Sequence, residues 1–238
     1  SYSVTGVQTC ALPIWDGVTV SGVVIAPGLN GSSSDPAILG SYYSDTGDVG
    51  KPAGGAIING NNTVPSTSSW NSASLVNFTN RSYVTVQDLR VLNSGARGIQ
   101  FDGGVGNQVL RNYVSTTRGH GIRLGACSKN FVVSYNEVTL STMIRLEDSS
   151  KYCTGIGIIG NGATACSDDS GVVSYNYVYR NHGEGIDIIK GRSNIIVEYN
   201  RVVNSRSGNI YLSQNVTNSI ARYNRSEERR VGKECRFR

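Results

Sequence analysis

Acids, bases and cations fall into three rows when the chain is aligned on a recurring apolar pair. That pair is Gly98-Ile99, Gly121-Ile122, Gly155-Ile156 and Gly185-Ile186, with Asn209-Ile210 in a fifth position. One row reads Gln100, Arg123, Gly157, Asp187, Tyr211. A second reads Arg97, His120, Thr154, Glu184, Gly208, and a third, just outside the runs, Arg118, Tyr152, His182, Arg206. If the runs are successive parallel strands, neighbours in a row stand about 4.8 Å apart. His182, Glu184, Asp187, Lys190 and Tyr211 then gather within two strands. Arg123 joins them across Gly157, where bare backbone admits a ligand.

Such a gathering suits an acidic sugar. Removing the proton next to a uronic acid carboxylate needs that carboxylate neutralised, by Arg123 or by a Ca²⁺ ion held by Glu184 and Asp187. A base must then reach the ring carbon, and His182, Lys190 and Tyr211 are of the right type. Gln100, Arg118, His120 and Arg206 extend the set as substrate-binding groups. Glycoside hydrolysis would instead use Glu184 and Asp187 as paired carboxyls. The plain alternative is a solvated face carrying ordinary surface charge.

The elements that must position these residues repeat. Val-Xaa-Tyr-Asn-Xaa-Val occurs at Val173–Val178 and again at Val197–Val202, and both Asn176 to Asn200 and Ile186 to Ile210 are 24 residues apart. Short strands at that period, with no helical spacing, predict an all-β solenoid with one turn per period. Each turn contributes one strand to each of three parallel sheets, and stacking buries the inward Val, Ile and Leu. An Asn precedes the third strand of successive turns: Asn112, Asn136, Asn176, Asn200 and Asn224. Asn tolerates the left-handed backbone of a sharp turn, and its amide both donates and accepts. Tyr135, Tyr175, Tyr199 and Tyr223 stand before four of them and predict an offset stack of rings. The interval Asn136 to Asn176 is 40 residues. Its excess, in Ser141 to Thr154 and Asn161 to Ser170, is expected to form loops walling a groove.

Both ends depart from this pattern. Residues 1–14 and 225–238 resemble translated sequencing adapters, which leaves 15–224 as the solenoid, incomplete at each end. The last fourteen residues hold six of the 22 Lys and Arg and three of the 17 Asp and Glu. Setting them aside lowers the net charge from +5 to about +2, which removes the argument for nucleic acid. No apolar run is long enough for a membrane span. With Cys10 and Cys235 in those ends, Cys127, Cys153 and Cys166 remain. Cys166 is expected to reach either Cys127 or Cys153, with three buried thiols as the alternative. The low charge and the Asn, Ser, Thr and Gly richness suit a secreted or cell-surface setting, and a monomer is expected.

The repeats Gly-Ile-Xaa-Leu and Val-Xaa-Tyr-Asn-Xaa-Val resemble those of right-handed parallel β-helix proteins of the pectate-lyase-like superfamily. The resemblance is strong over 75–224 and weaker over 15–60, where Asp35-Pro36-Ala37-Ile38-Leu39-Gly40-Ser41-Tyr42 is similar to the entry region of secreted bacterial members. It implies a right-handed coil of about 24 residues per turn and a carbohydrate-active protein, of lyase or epimerase type, acting on an acidic polysaccharide. The alternatives it leaves are a non-catalytic surface or glycan-binding β-helix and a polygalacturonase-like hydrolase. Gly119-His120-Gly121 is similar to a motif of those hydrolases. Asp102-Gly103 is not their Asp pair, however, and no Arg-Ile-Lys follows.

Overall fold

The computed structural model describes residues 18–42, 55–160 and 169–227, together with the backbone of the strand Ala11–Trp15. The strands form three sheets, two of eight strands and one of six, in which neighbours come from successive turns. The pairings are parallel throughout, as a β-helix requires. The six-stranded sheet carries Ser74–Thr79, Arg97–Asp102, Ile122–Gly125, Thr154–Ile159, Glu184–Ile189 and Ile210–Leu212; it is called the site sheet below. The expected period holds, with Val173 opposite Val197, Tyr177 opposite Arg201 and Ile186 opposite Ile210.

Strands form here because branched apolar residues alternate with polar ones, and the pleat sends the two sets to opposite faces. Ile99, Ile122, Ile156 and Ile186 make one fully buried inner row, and Val114, Val138, Val178 and Val202 make another. Phe78 and Phe101 stack within this core, centroids 4.8 Å apart. No single turn could bury its inward side chains alone, so the turns stabilise one another.

The asparagines form a ladder through the interior. The Nδ2 of Asn136 donates to Oδ1 of Asn176 at 3.0 Å, Asn176 to Asn200 at 2.9 Å, and Asn200 to Asn224 at 2.9 Å. Each Oδ1 also accepts the backbone N–H of the Asn one turn below, and the second Nδ2 proton goes to a valine carbonyl. One feature differs from expectation. The left-handed residue is not the Asn but the one before it, at φ 60° for Tyr135, 56° for Tyr175 and 55° for Tyr199. With the side-chain amide committed to the ladder, the Asn backbone stays ordinary and the tyrosine makes the bend. The rings stack as expected, with centroids 5.0, 5.0 and 5.2 Å apart from Tyr135 to Tyr223.

The first insertion leaves the coil after Ser141, forms the short 3₁₀ helix Met143–Leu146, and returns at Thr154. Arg118 pairs with Glu147 of this loop through both oxygens. Of the second insertion only Asp169 and Ser170 are described. Cys153 is a buried free thiol, which overturns its pairing with Cys166. Cys127 is disulfide-bonded, and Cys166 lies outside the described residues. Within the end segments, Ala11–Trp15 pairs with Ala37–Tyr42 and Arg225–Glu227 with Arg201–Val203; the rest lies outside the described residues.

The ladder generates a prediction. Asn176→Ala leaves buried partners on both neighbouring turns unsatisfied, at roughly 1–3 kcal/mol for each stranded group. Urea denaturation is expected to show a loss of at least about 2 kcal/mol. Replacing the exposed neighbour by Tyr175→Asn should cost far less, since Asn accepts the left-handed backbone. An unchanged midpoint for Asn176→Ala would show that the ladder does not hold the turns.

Candidate functional site

A cavity of about 390 Å³ opens over the site sheet. Its floor comes from the outward positions of three successive strands. Arg123 lies opposite Gly157, and Gly157 opposite Asp187, so the predicted row is present in order. Thr154 lies opposite Glu184 in the second row. Tyr152 and Cys153, the last residues of the first insertion, form one wall, and Lys190, in left-handed backbone at the strand exit, forms another. Beneath lie Arg97 and Asn71.

The bare backbone at Gly157 is used by protein rather than left open. A Cβ there would stand 2.8 Å from Thr154 Oγ1 and 3.2 Å from His120 Nδ1. The His120 ring fills that space. Its Nδ1 accepts the Thr154 backbone N–H at 3.1 Å, and Thr154 Oγ1 lies at the same distance. A nitrogen that accepts leaves the proton on Nε2. Burial, then Arg97, Arg123 and Lys190, hold this imidazole well below its ordinary proton affinity. His120 is therefore a neutral N–H donor and not a base.

The arginines are clamped from below. Arg97 donates to the Asn71 carbonyl, to Asn71 Oδ1 at 2.9 Å and to Gln100 Oε1. Gln100 donates to Asp102, and Asp102 pairs with Arg123. Burial and the neighbouring Arg123 push Arg97 down to about 10, still protonated at neutrality. This relay fixes two cations under the cavity without cancelling both.

Asp187 is the site's unusual group. It is 5% exposed, and its Oδ1 is buried with no hydrogen-bond partner. Burial, then the adjacent Glu184, push its proton affinity up to about 7, and Lys190 opposes them. The Cys153 thiol is pushed up to about 12, chiefly by burial, so it stays protonated and inert.

Of the candidates read from the sequence, Arg123, Glu184, Asp187, Lys190 and His120 line the cavity. His182, Tyr211, Gln100, Arg118 and Arg206 are not among its lining residues. His182 is half-buried, its carbonyl accepts from Arg145, and burial followed by Arg206 lowers its proton affinity. Tyr211 lies opposite Asp187 but one turn further on. Gln100 supports Arg97 from below, and Arg118 is taken by Glu147. Missed were Arg97 and Tyr152, although both stood in the rows, and Asn71 and Cys153, which no row contains. Tyr152 is 58% exposed at the cavity mouth, and the Arg145 guanidinium lies 4.5 Å over its ring.

The described residues do not fit the expected Ca²⁺ ion. Calcium takes about six to eight oxygen ligands. Among the described residues no cluster of three or more His, Cys, Asp or Glu could hold a metal. Glu184 and Asp187 share their cavity with Arg97, Arg123 and Lys190.

A coil of three parallel sheets with a charged cleft across one of them defines a right-handed parallel β-helix protein, and solved structures share that fold. An alginate lyase from Paenibacillus sp. str. FPU-7 is 17% identical with a TM-score of 0.66, covering 91% of this chain and 68% of its own. The pectate lyase Pel9A is 12% identical with a TM-score of 0.61, covering 82% of this chain and 46% of its own. This chain thus spans about two thirds of the first and under half of the second. No family model and no curated protein matches the sequence.

The Asp187 environment sets a sign for stability. A carboxyl near 7 in the fold and about 3.9 unfolded costs almost nothing below about pH 3, increasingly more as the pH rises, and its full amount above about pH 7. Each unit is worth about 1.4 kcal/mol. Asp187→Asn removes that cost, so its Tm should exceed the parent's by at least about 4 °C at pH 8 and match it near pH 3. Thermal melts that coincide at both pH values would contradict the raised proton affinity.

Proposed function

We propose that this β-helix acts on an acidic, uronic-acid-containing polysaccharide and breaks the C–H bond next to the sugar carboxylate, as a lyase or an epimerase. The observation that carries the reading is Asp187. It is a buried carboxyl with a free oxygen, ionising near neutrality, in a cavity otherwise dominated by cations. A general base works best when its proton affinity lies near the working pH.

The roles follow from position. Lys190 is exposed and makes no ion pair or hydrogen bond among the described residues, so it is free to meet the incoming carboxylate. Arg123 and Arg97 stand behind it and lower the cost of the charge that develops there. Neutralising the carboxylate acidifies the adjacent C–H. Asp187 takes that proton, and the bonding pair moves toward the carboxylate. In elimination the pair closes a carbon–carbon double bond, the glycosidic C–O bond breaks, and the leaving oxygen takes a proton from Tyr152. In epimerisation a proton returns to the opposite face instead. His120, held neutral, can donate its Nε2–H but not accept the substrate proton. Asp187 and Tyr152 thus replace His182 and Tyr211, which lie outside the cavity lining.

An enzyme of this kind meets its polymer outside the cell, which fits a secreted or surface location. No helix among the described residues is long and apolar enough to cross a membrane. The two solved lyases support a polysaccharide partner through their shared fold. A hydrolase would employ Glu184 and Asp187 as its two carboxyls, and a binding protein would need only the arginine cradle.

These readings separate in one experiment. Alginate, pectate and glycosaminoglycans are incubated with the protein in D₂O, and products are followed by ultraviolet absorbance and proton NMR. A lyase gives unsaturated ends, an epimerase gives deuterium at the exchanged carbon without cleavage, a hydrolase gives new saturated reducing ends, and a binding protein leaves the polymer unchanged. Asp187→Asn is expected to lower kcat by about 10²- to 10⁴-fold. Lys190→Met should chiefly raise KM. Full turnover by Asp187→Asn would remove the proposed base.

A further inference from the structure

The outer face of a different sheet carries a second concavity. It measures about 240 Å³ and is lined by Tyr177, Tyr179, Arg180, Val203 and Asn204. These residues come from the strands Tyr177–Tyr179 and Arg201–Val203 and the positions that follow them, on the sheet built from the third strand of each turn. None of them lines the cavity over the site sheet.

The dent is rigid and partly unsatisfied. Tyr179 donates its hydroxyl to Glu137 Oε1 at 2.8 Å, which fixes the ring and occupies that carboxylate oxygen. Tyr177 stacks on Tyr179 with centroids 4.5 Å apart, and the Arg201 guanidinium covers Tyr177 at 5.0 Å. Arg201 and Arg225 are balanced by Glu227. Arg180 is exposed and has no side-chain hydrogen bond or ion pair among the described residues, and the same holds for the Asn204 amide. Both sit in left-handed backbone at adjacent turns, φ 54° and 56°, with the Arg180 N–H bonded to the Val203 carbonyl at 3.0 Å. Neighbouring turns thus present a free cation and a free amide side by side, next to an aromatic wall.

We propose that this dent is a non-catalytic binding site for one carboxylate-bearing sugar of an acidic polysaccharide. Arg180 and Asn204 take the carboxylate, and Tyr179, backed by Tyr177, packs against the sugar ring. A planar guanidinium matches a carboxylate in two hydrogen bonds, and fixed aromatic rings contribute apolar contact at little entropic cost. The identity of the ligand rests on the proposed function; the site itself does not. Lying on another sheet, it would hold a second strand of a gel-forming polymer while the cleft works on the first.

The test is affinity electrophoresis through gels containing alginate or pectate, run beside turnover of short soluble uronate oligosaccharides. Arg180→Glu and Asn204→Ala alter exposed or half-exposed side chains and should leave the fold intact by circular dichroism. Each is expected to weaken retardation by about tenfold, the size of one lost charge-assisted hydrogen bond, while oligosaccharide turnover stays at the parent's level. Arg180→Lys should recover part of the retardation. Asp187→Asn should remain as retarded as the parent. Parental mobility of both Arg180→Glu and Asn204→Ala would overturn the site. So would equal losses of retardation and turnover, which would place these residues in the cleft. Retardation that depends on Arg180 in a protein with no turnover would uphold this site and sink the lyase reading alone.

Discussion

One amide per turn, acting as donor and acceptor at once, holds the coil in register. A parallel sheet can slip, and a slip of one residue sends every inward side chain outward. Hydrophobic burial alone resists this only on average. Asn136, Asn176 and Asn200 resist it at a point, because each buried amide is satisfied only when the next stands directly above. The rows on the site sheet inherit that alignment. Asp187 lies over Gly157, and Gly157 over Arg123, because the ladder on another edge of the same turns allows no other offset.

The cleft that results is electrostatically tense, and the tension is distributed unevenly. Arg97 and Arg123 are supported by Asn71, Gln100 and Asp102, so their charges are fixed in place before any ligand arrives. Fixed dipoles and charges need no reorganisation when substrate charge develops, which is what makes them effective. Asp187 has no such support. Its burial costs folding free energy whenever it ionises, and that cost is the kind natural sites carry for function.

The coil was readable because its signals are local. A 24-residue spacing, a Gly-Ile pair and a Tyr-Asn pair each follow from strand and turn chemistry within one turn, and together they give the sheets, the ladder and the outward rows. Cross-turn arrangement was less readable. The sequence shows that Arg97, Gln100, Asp102 and Arg123 lie close, but not that Gln100 turns sideways to join an arginine to a carboxylate. It placed Tyr152 and His182 in one row without showing that Tyr152 lines the cavity and His182 does not. The left-handed bend went to Asn on propensity, whereas the ladder claims the Asn side chain and passes the bend to Tyr135, Tyr175 and Tyr199. Asn71 and Cys153 carried no repeat signal, since both lie outside the strands.

The interval between Asn136 and Asn176 is 40 residues, yet their amides meet at 3.0 Å like those spaced by 24. The rungs therefore do not register how much chain lies between the end of one strand and the start of the next. Ser141, Thr142 and Cys153 are buried, and Ser141 and Thr142 bond to neighbouring turns, so the chain between Thr142 and Cys153 is the part whose length can change while the spine beneath keeps its pitch. Selectivity at the cleft mouth can then diversify independently of folding, and a graft confined to that segment is the economical way to redesign it.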